Sequence, residues 1–538
     1  MNMRAKGAAT SIAIAGSLVA GALYTGFAGE DINWDWRNYH EYGAYALLNG
    51  RFGTDVAPGG FQTFLNPLPY VLPYLLRHAL DAPFWGLLLG AIHGLNLALI
   101  WWVSRIVLGN AAGAIAILAS VAIAAFGPMT LSEVGTSFAD ILTALPIIAG
   151  VGLILSEEEQ SQHRIIAAGF LIGAAAGLKL TNITFLIGTG ASLLLVARPL
   201  KAMLSFGMGS AVGALATGGA WALSLWREFG NPVFPFYNTV FRSPEAPLEQ
   251  IADLRFIPRD WLEAAAYPFY WLIGDHRSSE WAFRDPRFAA IIVLLALTIA
   301  ASLLRQIDFL RRRDKQFLLL FWVTYALWLG AFSIHRYAIA LELLAAPMIV
   351  LLVSRLAESF HKDAADTVSL RTRSILAGSA ALAIAIWSQP ADWFRRPWSD
   401  PYRPKLADAL LTPATYLMLA KPMGYVVPLL PAASRVYQLS DIVMPIVPGG
   451  SLDRRIREGL THPLPGGVWA LYFQGSAPRI DLLNAYDLEI DTTRSCEHIP
   501  GADEVAIAAC PLSPRANASS AAHAARGGPW SQMNGQEP

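Results

Sequence analysis

Acidic and aromatic residues alternate just after the first long apolar segment of the chain. Glu30, Asp31 and Asp35 lie within residues 30–42, among several tryptophans and tyrosines. A carboxylate held at the edge of an apolar segment can act as a general base and remove a proton from a hydroxyl group of a polar substrate. The alternative is that Asp35 only caps a helix over residues 35–49. The spacing by itself favours neither interpretation.

Asp140 is a second candidate for acid–base chemistry. It stands at the start of an apolar segment, at the end of the stretch 133–140, and is expected near the same surface as Asp35. An ionisable side chain at the edge of an apolar helix can equally be a capping or interfacial residue. Both interpretations of Asp140 stay open at this point.

Three basic side chains could bind a negatively charged group. Lys179 separates two apolar stretches, and His335 and Arg336 precede another. Arginine suits phosphate because its guanidinium group presents two parallel N–H donors. Each residue could instead be an ordinary interfacial side chain. Glu342 lies about two turns inside the next apolar stretch, where a carboxylate is costly unless it is functional or paired, and Arg336 is its candidate partner.

The composition that surrounds these residues indicates a membrane protein. Hydrophobic residues make up 54% of the 538 positions, and only 15% are charged, whereas soluble proteins carry roughly a quarter. The apolar residues gather in blocks close to the roughly 20 residues that cross a bilayer. The formal net charge is zero, so the sequence does not indicate a nucleic-acid partner.

We therefore predict an all-α polytopic membrane protein with about eleven transmembrane helices. The first apolar block follows Arg4 and Lys6, as a signal peptide would. Because no clear cleavage site follows it, we interpret it as a retained helix. The predicted spans are Ala8–Ala28, Trp85–Val107, Ala111–Phe126, Ile141–Leu155, Ile165–Gly177, Ile183–Ala197, Met203–Leu225, Phe288–Leu304, Phe317–Phe332, Ala338–Val353 and Ile375–Trp387.

Lysine and arginine residues concentrate in alternate connecting segments, from Arg4 and Lys6 to residues 355–373. Positive charge marks the cytoplasmic side of a membrane protein. We therefore expect the N-terminus in the cytoplasm and the C-terminal region on the outer side. Lys179 then lies on the outer side, where basic residues are disfavoured, and this makes it a better candidate for phosphate contact.

This topology leaves three large pieces outside the membrane. We predict a transmembrane domain over residues 1–388, with external loops at 29–84 and 226–287. A small extracytoplasmic α/β domain follows over 389–514, and the Ala/Ser/Gly-rich tail over 515–538 is predicted to be disordered. In the α/β domain we predict a helix at Leu406–Ala420 and strands at Tyr425–Leu430, Val468–Phe473 and Val505–Ala509.

The chain has two cysteines, Cys496 and Cys510, and both lie in the predicted external domain. Their spacing fits no metal-binding motif. They form either a disulfide, as an oxidising compartment would allow, or two buried thiols. We favour the disulfide.

The order of motifs in the first external loop resembles the GT-C superfamily of glycosyltransferases. The chain has Asp35–Tyr39, then a helix up to Gly50-Arg51, then Asn66-Pro67-Leu68. Aminoarabinose transferases and relatives of the protein O-mannosyltransferases have Asp-Glu-x-x-Tyr, a helix, Gly-Asp and Pro-Pro-Leu in the same order. The stretches 230–238 and 335–337 also look like those of bacterial members. The resemblance covers roughly residues 8–355 in layout.

The resemblance implies an inverting transfer of a sugar from a polyprenyl-phosphate donor to an extracytoplasmic acceptor, which could be a glycan, a lipid or a protein. An aspartate of the external loop would act as general base, and we assign this role to Asp35, with Asp140 as its acid–base companion. Lys179, Arg336 and His335 would bind the donor phosphate. Tyr39 would stack on the sugar. We include Glu342 as a further substrate-site residue.

The family pattern also bears on cofactors and location. Trp36 replaces the second acidic residue of the pattern, so a divalent metal is not supported and no cofactor is assigned. The resemblance implies a bacterial inner membrane as the location and a lipid bilayer as partner.

Two rival functions fit part of the sequence. A transporter or flippase of lipid-linked saccharides would also be polytopic, but its charged residues are expected near mid-membrane, and no inverted repeat of spans is visible. A non-catalytic membrane scaffold could also carry large external loops and a C-terminal domain. A single outward cavity holding the candidate residues would favour the enzyme.

Overall fold

A computed structural model of the protein describes residues 3–109, 113–156, 161–249, 251–359 and 370–515. All but the first residue of the tail predicted to be disordered lies outside the described residues. The helices of the bundle are α1 Met3–Ala28, α4 Phe84–Leu108, α5 Gly113–Ala125, α7 Ala139–Leu155, α8 Gln162–Leu178, α9 Ile183–Ser192, α10 Pro199–Ala214, α11 Ala220–Phe229, α14 Arg287–Arg305, α15 Arg312–Ala331, α16 Ile339–Ser359 and α17 Leu370–Trp387. The helices in the connections between them are α2 Glu41–Asn49, α3 Val71–Ala79, α6 Pro128–Glu133, α12 Asn238–Phe241 and α13 Trp261–Ile273.

Each apolar block that predicted a span is helical over most of its described residues, because an apolar segment in a membrane must satisfy its backbone hydrogen bonds internally. Five of these helices are long and apolar enough to cross a membrane: Gly7–Ala28, Phe84–Leu108, Pro199–Phe229, Arg287–Arg305 and His335–Ser359. The predicted helical character is therefore confirmed, while the count of eleven crossings is not.

Close helix packing depends on glycine at two contacts. A Cβ atom on Gly169 of α8 would lie 2.2 Å from the carbonyl oxygen of Phe206 in α10. A Cβ atom on Gly21 of α1 would lie 2.1 Å from the carbonyl oxygen of Gly90 in α4. Small residues at such contacts let helix backbones approach in a membrane. Helix α16 lies at the centre of the bundle, with 89% of its most apolar stretch buried.

The C-terminal region forms a mixed sheet, as the predicted α/β domain requires. The elements of this region are β3 Thr415–Met418, β4 Arg435–Gln438, α18 Ser451–Thr461, β5 Val468–Phe473, α19 Ile480–Asn484, β6 Leu488–Ile490, β7 Glu497–Ile499 and β8 Ile507–Pro514. The strand order is β4-β3-β5-β8-β6, with β7 also paired to β8. β3 runs parallel to β4 and β5, and β8 is antiparallel to β5, β6 and β7.

Two predictions in this region are wrong. The predicted helix Leu406–Ala420 contains only a 3₁₀ turn before strand β3, because the apolar run Thr415–Met418 is buried on both faces as a central strand. The predicted strand Tyr425–Leu430 lies in a 3₁₀ helix over Gly424–Leu429 that contains Pro428, and proline cannot donate to a strand ladder. The strand β5 matches its prediction, and Cys496 and Cys510 form the favoured disulfide.

The segment 29–84, predicted to be the first external loop, packs into the C-terminal sheet. Short strands β1 Glu30–Asp31 and β2 Arg395–Arg396 pair antiparallel, and Val56 forms a parallel bridge with Tyr437 of β4. Aromatic residues of the loop share one buried core with residues of the sheet. Arg51 pairs with Asp55 at 2.6 Å and donates to two carbonyl groups just before β4. The loop and the C-terminal domain therefore fold as one body over the helix bundle.

Candidate active site

Asp35 lies where the first external loop turns into helix. A π-helix over Trp36–His40 leads into α2, which ends at Gly50 with φ +65°, so the predicted helix and its glycine cap are confirmed. Asp35 makes no capping hydrogen bond. Its Oδ2 atom instead lies 3.0 Å from Nη1 of Arg336. The structure therefore contradicts the interpretation of Asp35 as only a helix cap.

Asp140 is held by two cations. Both of its carboxylate oxygens accept hydrogen bonds from Nζ of Lys179, at 2.6 and 2.7 Å. Its Oδ2 atom also lies 3.8 Å from Nη1 of Arg336. The same nitrogen atom of Arg336 thus faces Asp35 and Asp140, and the four residues form one ion-pair cluster.

The helices bring this cluster to one end of the bundle. Asp140 is the second residue of α7, Lys179 directly follows α8, and Arg336 lies in the 3₁₀ turn before α16. Antiparallel neighbours place the start of one helix beside the end of the next. Trp393, which follows α17, approaches Arg336 at 5.8 Å, so the cluster lies on the side that carries the C-terminal domain.

Aromatic rings enclose the cations of the cluster. Arg336 stands 5.0 Å from the ring centres of both Phe138 and Tyr337, and Lys179 stands 4.2 Å from that of Tyr337. Cations attract the faces of aromatic rings, more strongly when water is excluded. Burial lowers the pKa of Lys179, although the negative charge of Asp140 opposes this effect. The Nε atom of Arg336 is buried and has no hydrogen-bond partner among the described residues.

Tyr39 borders the cluster from the π-helix. Its ring meets Tyr70 edge-on at 5.6 Å, and Tyr70 stacks on His40 at 3.9 Å. Burial, with a smaller contribution from Asp35, raises the pKa of Tyr39 well above its ordinary value. Burial and the nearby cations lower the pKa of His40 well below its ordinary value. Both rings are therefore neutral near pH 7.

A hydrogen-bond network that has no signal in the sequence ties the segment before Asp35 to the segment before Asp140. The backbone N–H of Ser137 donates to Oδ2 of Asp31 at 2.8 Å, and Asn33 donates to both oxygens of Asp31. The hydroxyl of Ser137 lies 2.8 Å from Nδ1 of His40 and 3.1 Å from Nδ2 of Asn33. The carboxylate of Glu30 does not join this network. It accepts hydrogen bonds from the backbone N–H groups of Ser399 and Asp400, which follow β2.

His335 and Glu342 lie in a different, fully buried cluster, which corrects the expected pairing of Glu342 with Arg336. Arg287 binds both oxygens of Asp285 at 2.8 Å and approaches Glu342 at 3.2 Å. His335 lies 3.3 Å from Asp285. Glu342 also accepts hydrogen bonds from the backbone of residues 129 and 130. The sequence signal for this cluster was Asp285-Pro286-Arg287, charged residues at the start of an apolar block.

Asp285, His335 and Glu342 offer ligand atoms that lie within 4.8 Å of one another. Their residue types suit a metal ion. However, Arg287 already binds the two carboxylates, and its guanidinium has no exposed surface. An ion would have to share this space with a buried positive charge. The three residues therefore fit an internal ion-pair network better than a metal site.

An apolar groove of about 340 Å³ lies between the first external loop, the outer end of α11 and the C-terminal domain. Phe52, Trp221 and Leu225 are among the side chains that line it. Asn66, in the same wall, donates a hydrogen bond to the carbonyl of Gly177, two residues before Lys179. Asn66 thus connects the groove to the segment that carries Lys179, although none of the four cluster residues lines the groove.

Comparisons with known proteins agree with this architecture. The sequence pattern of glycosyltransferase family 87 matches residues 64–329. No curated protein matches the sequence significantly. The fold is similar to the crystal structure of ArnT from Cupriavidus metallidurans bound to undecaprenyl phosphate, with a TM-score of 0.50 and 12% sequence identity over 93% of this chain and 97% of that one. The predicted resemblance is therefore confirmed: residues 64–329 match the pattern of glycosyltransferase family 87, and the fold is similar to that of ArnT.

Proposed function

We propose that the protein transfers a sugar, with inversion, from a polyprenyl-phosphate donor to a hydroxyl group of an extracytoplasmic glycan, lipid or protein. The observation that carries this proposal is the cluster in which Asp35 and Asp140 share Arg336, with Lys179 beside them. It combines carboxylates that can take a proton with cations that can hold a phosphate. Inversion requires one displacement, in which the acceptor oxygen attacks the sugar carbon opposite the phosphate.

Asp35 is the better placed base. Its side chain is 14% exposed and has one close cationic partner, whereas Asp140 is 1% exposed and is bound on both oxygens by Lys179. An acceptor hydroxyl can reach Asp35 more easily than Asp140. As the new bond between the acceptor oxygen and the sugar carbon forms, Asp35 takes the hydroxyl proton. The bond from the sugar carbon to the phosphate oxygen breaks at the same time.

Lys179 and Arg336 stabilise the negative charge of the leaving group, the lipid phosphate. The lipid phosphate departs with the electron pair of the broken bond, and positive groups aimed at the developing charge stabilise the transition state. In the described structure the carboxylates Asp35 and Asp140 hold these cations in place. A bound phosphate would share them, and Arg336 has an unused Nε donor to offer. Asp140 would act mainly by fixing the position of Lys179.

In this proposal Tyr39 contacts the substrate, whereas His335 and Glu342 do not. Tyr39 lies beside Asp35 and can contact the sugar. His335 and Glu342 have no exposed surface, so they would support the turn that carries Arg336 rather than touch the substrate. The apolar groove offers a path for the donor's lipid chain, and ArnT, whose fold is similar, is described as bound to undecaprenyl phosphate.

The proposed location is the outer face of a bacterial inner membrane, with the N-terminus in the cytoplasm. The alternating basic segments support this orientation. The cluster then lies on the outer side, together with the C-terminal domain. Transporters bind their substrates near the membrane midplane, whereas these charges lie at helix ends.

The test uses the purified full-length protein in nanodiscs, with a panel of radiolabelled polyprenyl-phosphate hexoses and pentoses and an extract of cell-envelope glycans and lipids. We expect one donor to lose its sugar to an acceptor, with inverted anomeric configuration by NMR. The variant Asp35→Asn is the matched control. The same protein in sealed proteoliposomes is tested for donor movement, and movement of an intact donor across the vesicle membrane, with no cleavage of any donor, would contradict the proposal and favour a flippase.

A further inference from the structure

Helix α13, in the middle of the second external loop, has an apolar face that no described part of the chain covers. Trp261 is 76% exposed, Leu262 60%, Phe269 41% and Ile273 67%. Ala265 is exposed between them. Residues spaced by four positions lie on one side of a helix. This stripe of uncovered apolar side chains runs the whole length of the helix, about 20 Å for 13 residues.

The opposite face of α13 is anchored to the bundle. The ring of Trp271 is fully buried and packs against Phe288 at 5.1 Å and Trp328 at 5.9 Å. The backbone carbonyl of Leu272 accepts a hydrogen bond from Nε1 of Trp387 at 2.6 Å. Phe288 is near the start of α14, while Trp328 and Trp387 are at the ends of α15 and α17. Helix α13 therefore lies at the level where these three helices leave the bundle.

We propose that α13 lies in the plane of the outer membrane surface and binds the lipid bilayer through the face formed by Trp261, Leu262, Ala265, Phe269 and Ile273. A helix with one apolar face and a polar boundary, including tryptophan, suits the region between lipid headgroups and acyl chains. Its position beside the ends of three bundle helices places it at that depth. Exposed apolar stripes of this kind are otherwise covered by a partner.

The charges around α13 fit the same depth. The helix begins with a capping hydrogen bond from the N–H of Glu263 to Asp260, and Glu263 pairs with Arg259 and Arg277. These charged groups lie at the two ends of the helix or on its bundle side, and none interrupts the apolar stripe. Ion pairing lowers the cost of holding charge near the headgroups.

Membrane attachment of α13 would also set the height of the second external loop. Asp253 precedes the helix and Glu280 follows it, and both are close enough for their charges to act on Arg336. The bilayer would thus help to hold this loop over the ion-pair cluster. The attachment itself does not depend on which sugar is transferred, or on whether transfer occurs.

The test measures the depth of nitroxide spin labels on the full chain in nanodiscs of phosphatidylethanolamine and phosphatidylglycerol. The native cysteines are joined in a disulfide, so Phe269→Cys and Ile273→Cys can be labelled selectively. The control is Leu411→Cys, an apolar position of the C-terminal domain that is 57% exposed. We expect the labels at 269 and 273 to collide more with oxygen than with a water-soluble nickel complex, and the label at 411 to show the reverse.

Two outcomes would overturn the proposal. Labels at 269 and 273 that meet the nickel complex as often as the label at 411 would place the helix in water. Labels that meet neither oxygen nor nickel would place it against protein, such as a second copy of the chain. Two separately labelled variants guard against one that fails to fold. A misfolded variant would give a smaller fraction of protein that is inserted in the membrane with its disulfide intact, and this fraction is measured for each variant.

Discussion

At the scale of single residues, the two aspartates of the cluster differ in how tightly they are held. Asp140 has both oxygens bound by Lys179, whereas Asp35 has one oxygen paired with Arg336 and some exposure to solvent. A base must lie within hydrogen-bond reach of the proton it takes. This difference in accessibility, which residue types do not reveal, is the physical ground for assigning proton removal to Asp35.

We expect Asp35→Asn to insert and bind donor normally but to be nearly inactive. Asparagine keeps the size and polarity of the side chain but cannot take a proton, and loss of a general base typically costs a factor of about 10² to 10⁴ in rate. The measurement is single-turnover sugar transfer in nanodiscs. If Asp35→Asn keeps most of its turnover while Asp140→Asn or Asp31→Asn abolishes it, the base is one of the other aspartates.

We expect Lys179→Ala and Arg336→Ala to weaken donor use while the protein stays in the membrane. A hydrogen bond to a charged group contributes about 1.5–3 kcal/mol, which is roughly ten- to a hundredfold in the KM for the donor. Lys201→Ala is the matched control, because Lys201 is exposed near the start of α10, at the other end of the bundle. Unchanged donor affinity in both cluster variants would rule out a phosphate site here.

At the scale of elements, Asp35 directly precedes the π-helix before α2, Asp140 lies in the first turn of α7, and Ser137, just before α7, joins the two segments. Its N–H and hydroxyl reach Asp31, Asn33 and His40 at 2.8 to 3.1 Å. Buried networks of this kind are rigid when every member is satisfied. The distance between the two aspartates is therefore set by loop-to-loop hydrogen bonds as well as by the shared Arg336.

We expect Ser137→Ala to lower kcat with little change in the KM for the donor, since the phosphate-binding cations are untouched while the base loses its support. The stability cost should be about 1 kcal/mol for each lost hydrogen bond. Ser137→Thr, which keeps the hydroxyl, should restore part of kcat. A rise in KM with unchanged kcat, in a variant of wild-type stability, would show that Ser137 does not position the base.

We expect the stability of the protein to fall as the pH drops below about 6.5, the ordinary pKa of histidine. Burial lowers the pKa of His40 in the folded state, so the unfolded chain binds the proton first as the pH falls. The protein therefore loses stability as the pH falls from the pKa of His40 in the unfolded chain toward its lower pKa in the folded state. The loss is at most about 1.4 kcal/mol per pH unit. Thermal unfolding of wild type and His40→Gln across this range measures it. An equal pH slope in both proteins would exclude His40 as the cause.

At the scale of the whole molecule, the external loop, the sheet and the helix ends form one layer over the bundle. The helix Pro199–Phe229 has 31 residues, or about 46 Å, and the hydrocarbon core of a bilayer is only about 30 Å thick. We therefore expect its end at Phe229, which lines the apolar groove with the first loop and α18, to rise above the membrane. On this expectation the site lies in this layer and not at mid-membrane.

We expect a reporter fused after Trp387 to be external and one inserted near Arg312 to be cytoplasmic. The physical reason is the concentration of lysine and arginine in alternate connections. A pair of reporters, one active only in the periplasm and one only in the cytoplasm, measures both sites. A cytoplasmic signal from the fusion after Trp387 would overturn the orientation and the odd number of crossings.

The sequence by itself determined the helices and the end of the bundle at which the charged residues lie. Apolar blocks of spanning length must be helical in a membrane, and alternate basic connections imply alternate directions. Asp140 at the start of α7 and Lys179 at the end of α8 therefore share one end, as Arg336 does. The glycine cap of α2 also followed from a local signal. The disulfide was only favoured over two buried thiols, on the ground of the predicted oxidising compartment.

Only the tertiary structure decided which charges meet. Arg336 pairs with Asp35, about 300 positions away, and not with its near neighbour Glu342, which binds Arg287. Ion pairs between distant segments depend on how helices pack, and sequence proximity carries no information about that packing. The errors at Leu406–Ala420 and Tyr425–Leu430 have a similar cause: a short apolar run fits either a strand or a helix until its neighbours bury one face or both.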